Sequence, residues 1–357
     1  MGVTNNLRVN PLASDLDHIL THTKGLWEDI RGKSIFITGG TGFFGCWLLE
    51  SFAWANNKLG LNASALVLTR DYNGFKKIAP HLANNPAIKF QIGDVRNFEF
   101  PEGEFPYIIH AAATSARATF KNEEDELMRF ETTVEGTKHT FDFAVQCHAK
   151  KFLLTSSGIV YGKKQPFDIT HISEDYCGVP DSTDPNSAWG ESKRTAEFLC
   201  AFYSRKYGIE TKIARCFTFV GPYMPLNIHY AIGNFIENRI KNEPIIIKGD
   251  GTLYRSYLYA ADLTIWLWTI LFRGKTCRPY NVGSEEEIDL FNLAKKIAKM
   301  FPPELEVKVM QKRIPGKSAE RYIPSTKRAY NELGLKQRVS LDEAIKRTIE
   351  WNKLYVF

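Results

Sequence analysis

Three glycines stand at positions 39, 42 and 45 in the segment Thr38-Gly39-Gly40-Thr41-Gly42-Phe43-Phe44-Gly45. A short β-branched and aromatic run at 34–37 leads into them, and an apolar helical pattern at 45–56 follows. Glycines between a strand and a helix serve three needs. One permits a tight turn, one lets the backbone approach a pyrophosphate, and one lets the helix pack close on the strand. The helix N-terminus adds free N–H groups and the positive end of its dipole. A plain strand-to-helix turn would also take glycine, but here strand and helix fall where phosphate binding requires them. Gly39, Thr41, Gly42, Phe43, Phe44 and Gly45 are the candidate residues for holding a dinucleotide.

Three further segments fit the same ligand. Asp94-Val95 follows an apolar run at 89–92, and its carboxylate can accept from an adenine amino group. Ala111, Ala112 and Ala113 follow the run at 107–110, and small side chains there leave room for a dinucleotide across the strand ends. The run at 65–69 ends in Thr69-Arg70-Asp71. An acidic residue at its end would bind the ribose 2′-hydroxyl of NAD. Thr69 takes that slot and Arg70 follows, which leans towards the 2′-phosphate of NADP. Asp71 restores NAD if the turn bends inward, so NAD and NADP both stay open.

The elements that position these residues alternate. Short strands are expected at 34–37, 65–69, 89–92, 107–110, 151–155 and 211–215, with helices at 45–56, 123–148 and 189–207. That alternation implies βαβ units and an α/β fold with a doubly wound parallel sheet. A helical pattern at 15–30 forms a lead-in. After 221–222 the texture changes to helices at 232–242, 290–300 and 341–351 and a strand at 245–248. We divide the chain into a lead-in at 1–30, a dinucleotide-binding domain at 31–223 to which 253–283 returns, and a substrate lobe made of 224–252 and 284–357.

The 357 residues carry a net charge of +6 with 44% hydrophobic and 24% charged residues, an ordinary globular balance. No basic run with interleaved aromatics points to nucleic acid. The six cysteines form no C-x-x-C pair and read as buried thiols of a reducing compartment, without disulfides or metal. The longest apolar run, 263–272, is too short to span a bilayer and reads as a buried helix. With no apolar segment at the N-terminus, the expected location is cytoplasmic.

The motifs TGGTGFFG, GDVR (93–96), HAAA (110–113), TSSGIVYG (155–162), WGESK (189–193), ARCFTFVGP (214–222), RSYLYAAD (255–262) and NVGS (281–284) occur in that order. With them the chain resembles the extended short-chain dehydrogenase/reductase family, in its nucleotide-sugar epimerase and dehydratase group. The resemblance implies a Rossmann-type sheet with a smaller mixed α/β substrate lobe. It implies hydride chemistry at a sugar carbon, usually C4, with a serine or threonine on the sugar oxygen, a tyrosine taking the proton, and a lysine on the nicotinamide ribose. These roles fall on Ser157, position 189 and Lys193. Thr155 and Cys216 join the cofactor contacts. Ser115, Ser157, Thr218, Ile232, Arg255 and Arg321 form the substrate set, the two arginines as a diphosphate clamp. The resemblance also implies a homodimer built on the helices at 123–148 and 189–207.

The chain departs from the family at the tyrosine. Trp189 stands in that slot, and an indole N–H has no usable acid/base proton at neutral pH. Another group takes the proton, with Ser157, Tyr161, Tyr223, His229 or a water as candidates; or the chain is an altered or inactive variant; or it is a non-catalytic nucleotide-sugar or dinucleotide sensor. Gly158 and Ile159 occupy the slots of the dehydratases' acidic pair and the decarboxylases' glutamate, which disfavours both reactions. Thr133 replaces a common asparagine in TVEGT. The expected activity is a C4 epimerase of surface polysaccharide biosynthesis, with a 4,6-dehydratase or 4-keto-sugar oxidoreductase as alternatives.

Overall fold

The computed structural model describes residues 10–113, 125–162, 169–228, 230–314, 316 and 319–355. Seven strands form the central sheet: β1 Ser34–Thr38, β2 Ser64–Thr69, β3 Ile88–Ile92, β4 Tyr107–His110, β5 Lys151–Ser157, β6 Glu210–Cys216 and β11 Pro279–Val282. Every pairing among them is parallel. Their order is β11-β6-β5-β4-β1-β2-β3, so the expected doubly wound sheet is present. The chain winds outward from β1 to β3, then crosses back to pair β4 with β1. Thr38 and His110 are register partners at that reversal, the place where an open sheet of this topology puts its ligand crevice.

Burial explains why these segments read as unbroken apolar runs. Ile35, Phe36 and Ile37 are all buried because helices cover both faces of the sheet. The helix Ala260–Arg273 carries 263–272 with every side chain inside, as expected of a buried helix. Its Trp268 indole donates to Ser51 Oγ of the helix Phe43–Leu59 at 2.9 Å. Among the described residues no helix is long and apolar enough to cross a membrane.

Several boundaries differ from expectation. The lead-in is not one helix: it breaks at Gly25 (φ 84°) into the helix Ala13–His22 and a 3-10 turn at Trp27–Ile30. The helix expected at 123–148 runs Glu126–Gln146, started by Asp125, whose carboxylate accepts from Met128 N at 2.8 Å. Strand β11 was not expected, because Pro279-Tyr280-Asn281-Val282 has weak strand character alone. Pairing with β6 makes it a strand, and Tyr280 and Val282 are buried there. Of the six free thiols, Cys177 and Cys277 are exposed, so the expectation of six buried ones holds for four.

Smaller sheets flank the C-terminal edge. β7 Phe219–Val220 pairs with β10 Leu258–Tyr259, and β8 Ile245–Ile247 with β13 Val307–Val309. β9 Tyr254–Arg255 lies between β12 Ile288–Asp289 and β14 Arg321–Tyr322.

Candidate active site

The glycine segment forms a turn at 39–42, and the helix begins at Phe43, two residues earlier than expected. Gly39 has φ +70°, and a Cβ there would stand 2.5 Å from the Ala111 carbonyl. A Cβ at Gly45 would stand 2.3 Å from the Gly40 backbone. These two glycines close β1, β4 and the helix upon one another. Gly42 is different: the nearest atom to a Cβ there is Gly39 O at 3.5 Å, so the protein alone does not need glycine. As N-cap it also offers no side chain to the first turn. Unsatisfied N–H groups above a bare glycine fit the pyrophosphate of a dinucleotide.

The flanks of this cradle are partly committed. Arg96 binds both oxygens of Asp94, at 2.8 and 3.0 Å, and holds its carboxyl below the usual range. Asp94 is therefore an already paired carboxylate. Val95 is packed against Gly136, where a Cβ would meet it at 2.7 Å. Thr69 Oγ1 lies 3.2 Å from Thr41 Oγ1. Asp71 caps the helix Tyr72–Ile78, accepting from Gly74 N at 2.7 Å, a helix that sequence reading missed. His110 is buried between Thr38 and Thr137, and burial drives its pKa to about 3, so it stays neutral. Ala111 and Ala112 are half-buried and Ala113 is exposed at the strand end.

Ser157 ends β5. Adjacent residues of a strand face opposite sides, and the two serines separate accordingly. Ser156 Oγ donates to Glu197 at 2.6 Å, and Arg215 holds that same carboxylate. Ser157 Oγ instead accepts from Ile159 N at 3.3 Å. Lys193, fully inside the helix Ala188–Tyr207, donates to Thr155 O at 2.9 Å, and burial lowers its pKa to about 8. Thr155 Oγ1 donates to His110 O at 3.2 Å. Cys216 is buried, with its thiol raised to about 12 by desolvation and Lys193 acting against the rise. Trp189 stands one turn before Lys193, with 39% of its surface exposed.

The alternative proton acceptors fare unevenly. Tyr161 is buried, donates to Asn281 Oδ1 at 2.8 Å and accepts from Arg215 at 2.9 Å, with its pKa raised by burial to about 12. It is a structural hydroxyl, which removes it as the base. Tyr223 donates to the buried Glu50 at 2.5 Å and is removed likewise. His229 and Ser115 lie outside the described residues. Sequence reading assigned nothing to Tyr322, which stands beside Arg321 on β14 with its hydroxyl next to Gly158.

On the substrate side, Arg255 and Arg321 come together on β9 and β14, where Tyr322 pairs with Arg255 in register. Arg255 bonds Glu320 at 2.7 Å, and Arg321 bonds Glu287 and lies 4.1 Å over the Tyr254 ring. Both glutamates are exposed, so these pairs contribute at most about 1 kcal/mol each. Thr218 Oγ1 donates to Ser256 O, so its proton points into the protein. Ile232 is 2% exposed and packs in the core, not along a pocket wall.

Residues 35–283 match the NAD dependent epimerase/dehydratase family. UDP-glucuronic acid decarboxylase 1 of Arabidopsis thaliana is 29% identical over 315 residues, 88% of this chain and 68% of that protein. UDP-glucuronic acid decarboxylase 6 of the same plant is 29% identical over 313 residues, 87% of this chain and 86% of that protein. Among solved structures, UDP-glucuronic acid 4-epimerase from Bacillus cereus, in complex with UDP-glucuronic acid and NAD, has the same fold. Its TM-score is 0.73 at 21% identity, over 90% of this chain and 99% of that one. A dTDP-glucose 4,6-dehydratase from Bacillus anthracis in complex with NAD gives 0.70 at 18%, over 90% and 97%.

Proposed function

The chain belongs to the NAD dependent epimerase/dehydratase family, a family of enzymes, and on that premise we propose that it is a UDP-sugar 4-epimerase. The observation that carries this reading is the company of Ser157. Lys193 is anchored two residues away on Thr155, while Gly158 and Ile159 place no carboxylate next to it. Elimination of water needs an added acid and base; oxidation at C4 and return of hydride to the other face need neither. When bound, the nicotinamide supplies the hydride acceptor and donor. Gly39–Gly45 hold the pyrophosphate, Lys193 the ribose, Ser157 the sugar oxygen, and Arg255 with Arg321 the substrate diphosphate.

NADP is the cofactor favoured here. Thr69 and Arg70 stand at the 2′ position, and Asp71 is committed to its helix cap. A homodimer is favoured by Phe198 and Phe202, one turn apart and outward on the helix Ala188–Tyr207, and by Leu127 and Met128 at the start of Glu126–Gln146.

A decarboxylase is the second reading, favoured by the Arabidopsis relatives. Oxidation at C4 of a hexuronic acid gives a β-keto acid, which loses carbon dioxide with little assistance. Incubation with UDP-glucose, UDP-galactose and UDP-glucuronic acid, followed by mass spectrometry, separates the readings. A product of unchanged mass and altered retention supports the epimerase. Loss of carbon dioxide from UDP-glucuronic acid establishes the decarboxylase, and loss of water a dehydratase.

A further inference from the structure

We propose that Glu197 is the positioning residue of this site. Its carboxylate, clamped by Arg215, ties the helix that carries Lys193 to the strand that carries Ser157 and holds the two groups in register. Lys193 and Ser157 enter here with the roles proposed above, on the dinucleotide ribose and the sugar oxygen, and the proposal rests on that reading.

Lys193 and Glu197 stand one turn apart on the helix Ala188–Tyr207. They grip consecutive residues of β5. Lys193 Nζ donates to Thr155 O at 2.9 Å, and Glu197 accepts from Ser156 Oγ at 2.6 Å. Ser157 comes next. From β6, Arg215 donates to the same carboxylate through Nε at 3.0 Å and Nη2 at 2.7 Å. Ser156, Arg215 and Asn281 are register partners across β5, β6 and β11. The third nitrogen of Arg215 donates to the Tyr161 hydroxyl at 2.9 Å, which donates in turn to Asn281 at 2.8 Å. Tyr161 ends the 3-10 turn Gly158–Tyr161, which Ser157 caps. Ser157 is therefore flanked by two residues, 156 and 161, that one ion pair holds. Glu197 and Arg215 are only 12% and 15% exposed, and the planar fork of the guanidinium fixes the angle of the contact. Misplacing a reacting group by about 1 Å can cost a hundredfold in rate, so this grip bears on turnover.

Glu197 also acts on Lys193 through its charge. Burial lowers the Lys193 pKa to about 8, and the Glu197 carboxylate opposes that fall. The other titratable groups facing Lys193 are Cys200 on its own helix, Cys216 on β6 and His110 on β4. Burial keeps both thiols protonated and His110 neutral near pH 8, so Glu197 is the charge among them.

The test compares the full-length parent with Ser156→Ala and Glu197→Gln, using NADP, NAD and the three UDP-sugars. Ser156→Ala removes the tether and keeps every charge. Its kcat should fall about tenfold with KM and UDP affinity little changed, because Arg255 and Arg321 sit on other strands. Glu197→Gln keeps an acceptor for Ser156 and removes the charge. Its kcat should fall by about the same factor. Dinucleotide affinity supplies a readout without turnover. In the parent it should weaken as pH rises through the Lys193 value, because the ammonium is the better donor. Glu197→Gln should move that weakening to lower pH, and Ser156→Ala should leave it in place. A merely structural role would lower kcat, UDP affinity and Tm together and leave the pH of the weakening unmoved in both variants; that result overturns the proposal, as does parental kcat in Ser156→Ala. If Glu197→Gln fails to fold, Ser156→Ala still decides the tether. If the parent converts none of the sugars while the weakening moves in Glu197→Gln alone, the epimerase reading fails and the coupling of Glu197 to Lys193 stands.

Discussion

A single methyl group added to Gly158 would meet the Tyr322 hydroxyl at 2.6 Å. The contact joins the end of β5 to β14, two strands separated by nearly half the chain. Gly158→Ala must therefore push Tyr322 and Phe217 outward, at a cost of about 1–3 kcal/mol in stability. Turnover should fall further than UDP affinity, because the arginines on β9 and β14 keep their places. Chemical denaturation with calorimetric titration of UDP checks both; equal stability would show that the two side chains move aside freely.

Gly39 and Gly42 separate folding from ligand binding. Gly39→Ala forces a side chain into a left-handed backbone 2.5 Å from Ala111 and should destabilise by several kcal/mol, about 2–4. Gly42→Ala has φ −88° and open space, so its melting temperature should match the parent. Its cofactor affinity should nevertheless drop about tenfold or more, because the methyl group stands where a pyrophosphate approaches. Thermal melts and fluorescence titration with NADP test the pair. Full affinity in Gly42→Ala would place the phosphates elsewhere.

What sequence could reveal was set by how local each signal is. The βα turn at 39–45 and the apolar strands carry their pattern within a few residues, so the sheet and the turn at its reversal were readable. The places of Ser157 on β5 and of Lys193 on the helix Ala188–Tyr207 were readable because each sits in a motif of its own element. The hydroxyl partners were not. Tyr161 looked like a free phenol until Asn281 and Arg215 arrived from β11 and β6, and Tyr322 lay in a two-residue strand defined only by its neighbour. Ile232 was placed in the substrate set, yet it is 2% exposed, because a residue's type does not say what packs over it.

Cofactor choice turns on the end of β2. If Arg70 meets a 2′-phosphate, Arg70→Ala should weaken NADP by about tenfold to a hundredfold and leave NAD nearly unchanged. Thr69→Asp, by adding an acceptor for a ribose hydroxyl, should push the preference further towards NAD. Binding isotherms for both dinucleotides decide it. An Arg70→Ala variant that loses NAD and NADP equally would assign Arg70 a general electrostatic role instead.

The buried Glu50 accepts from His81 Nε2 at 2.7 Å, from Tyr223 at 2.5 Å and from Asn10 at 3.1 Å. The hydrogen bond that His81 donates to Glu50 raises its pKa above the ordinary 6.5. The folded state thus holds that proton more tightly than the unfolded chain. Its contribution to stability is full below about pH 6.5 and disappears as pH rises through the raised value. About half of the imidazole is exposed, so solvent screening keeps the contribution near or below about 1 kcal/mol. Lys193, with its pKa lowered to about 8, gives the opposite slope at higher pH, because its charged form is the one that burial penalises. The difference between parent and His81→Gln isolates the histidine, since glutamine still donates to Glu50 but does not titrate. The parent should be more stable than the variant at pH 5.5 by about 1–3 °C in Tm, with the gap closing by pH 8.5. Parallel melting curves across that range would mean that the Glu50 pocket is held by Tyr223 and Asn10 without help from the charge on His81.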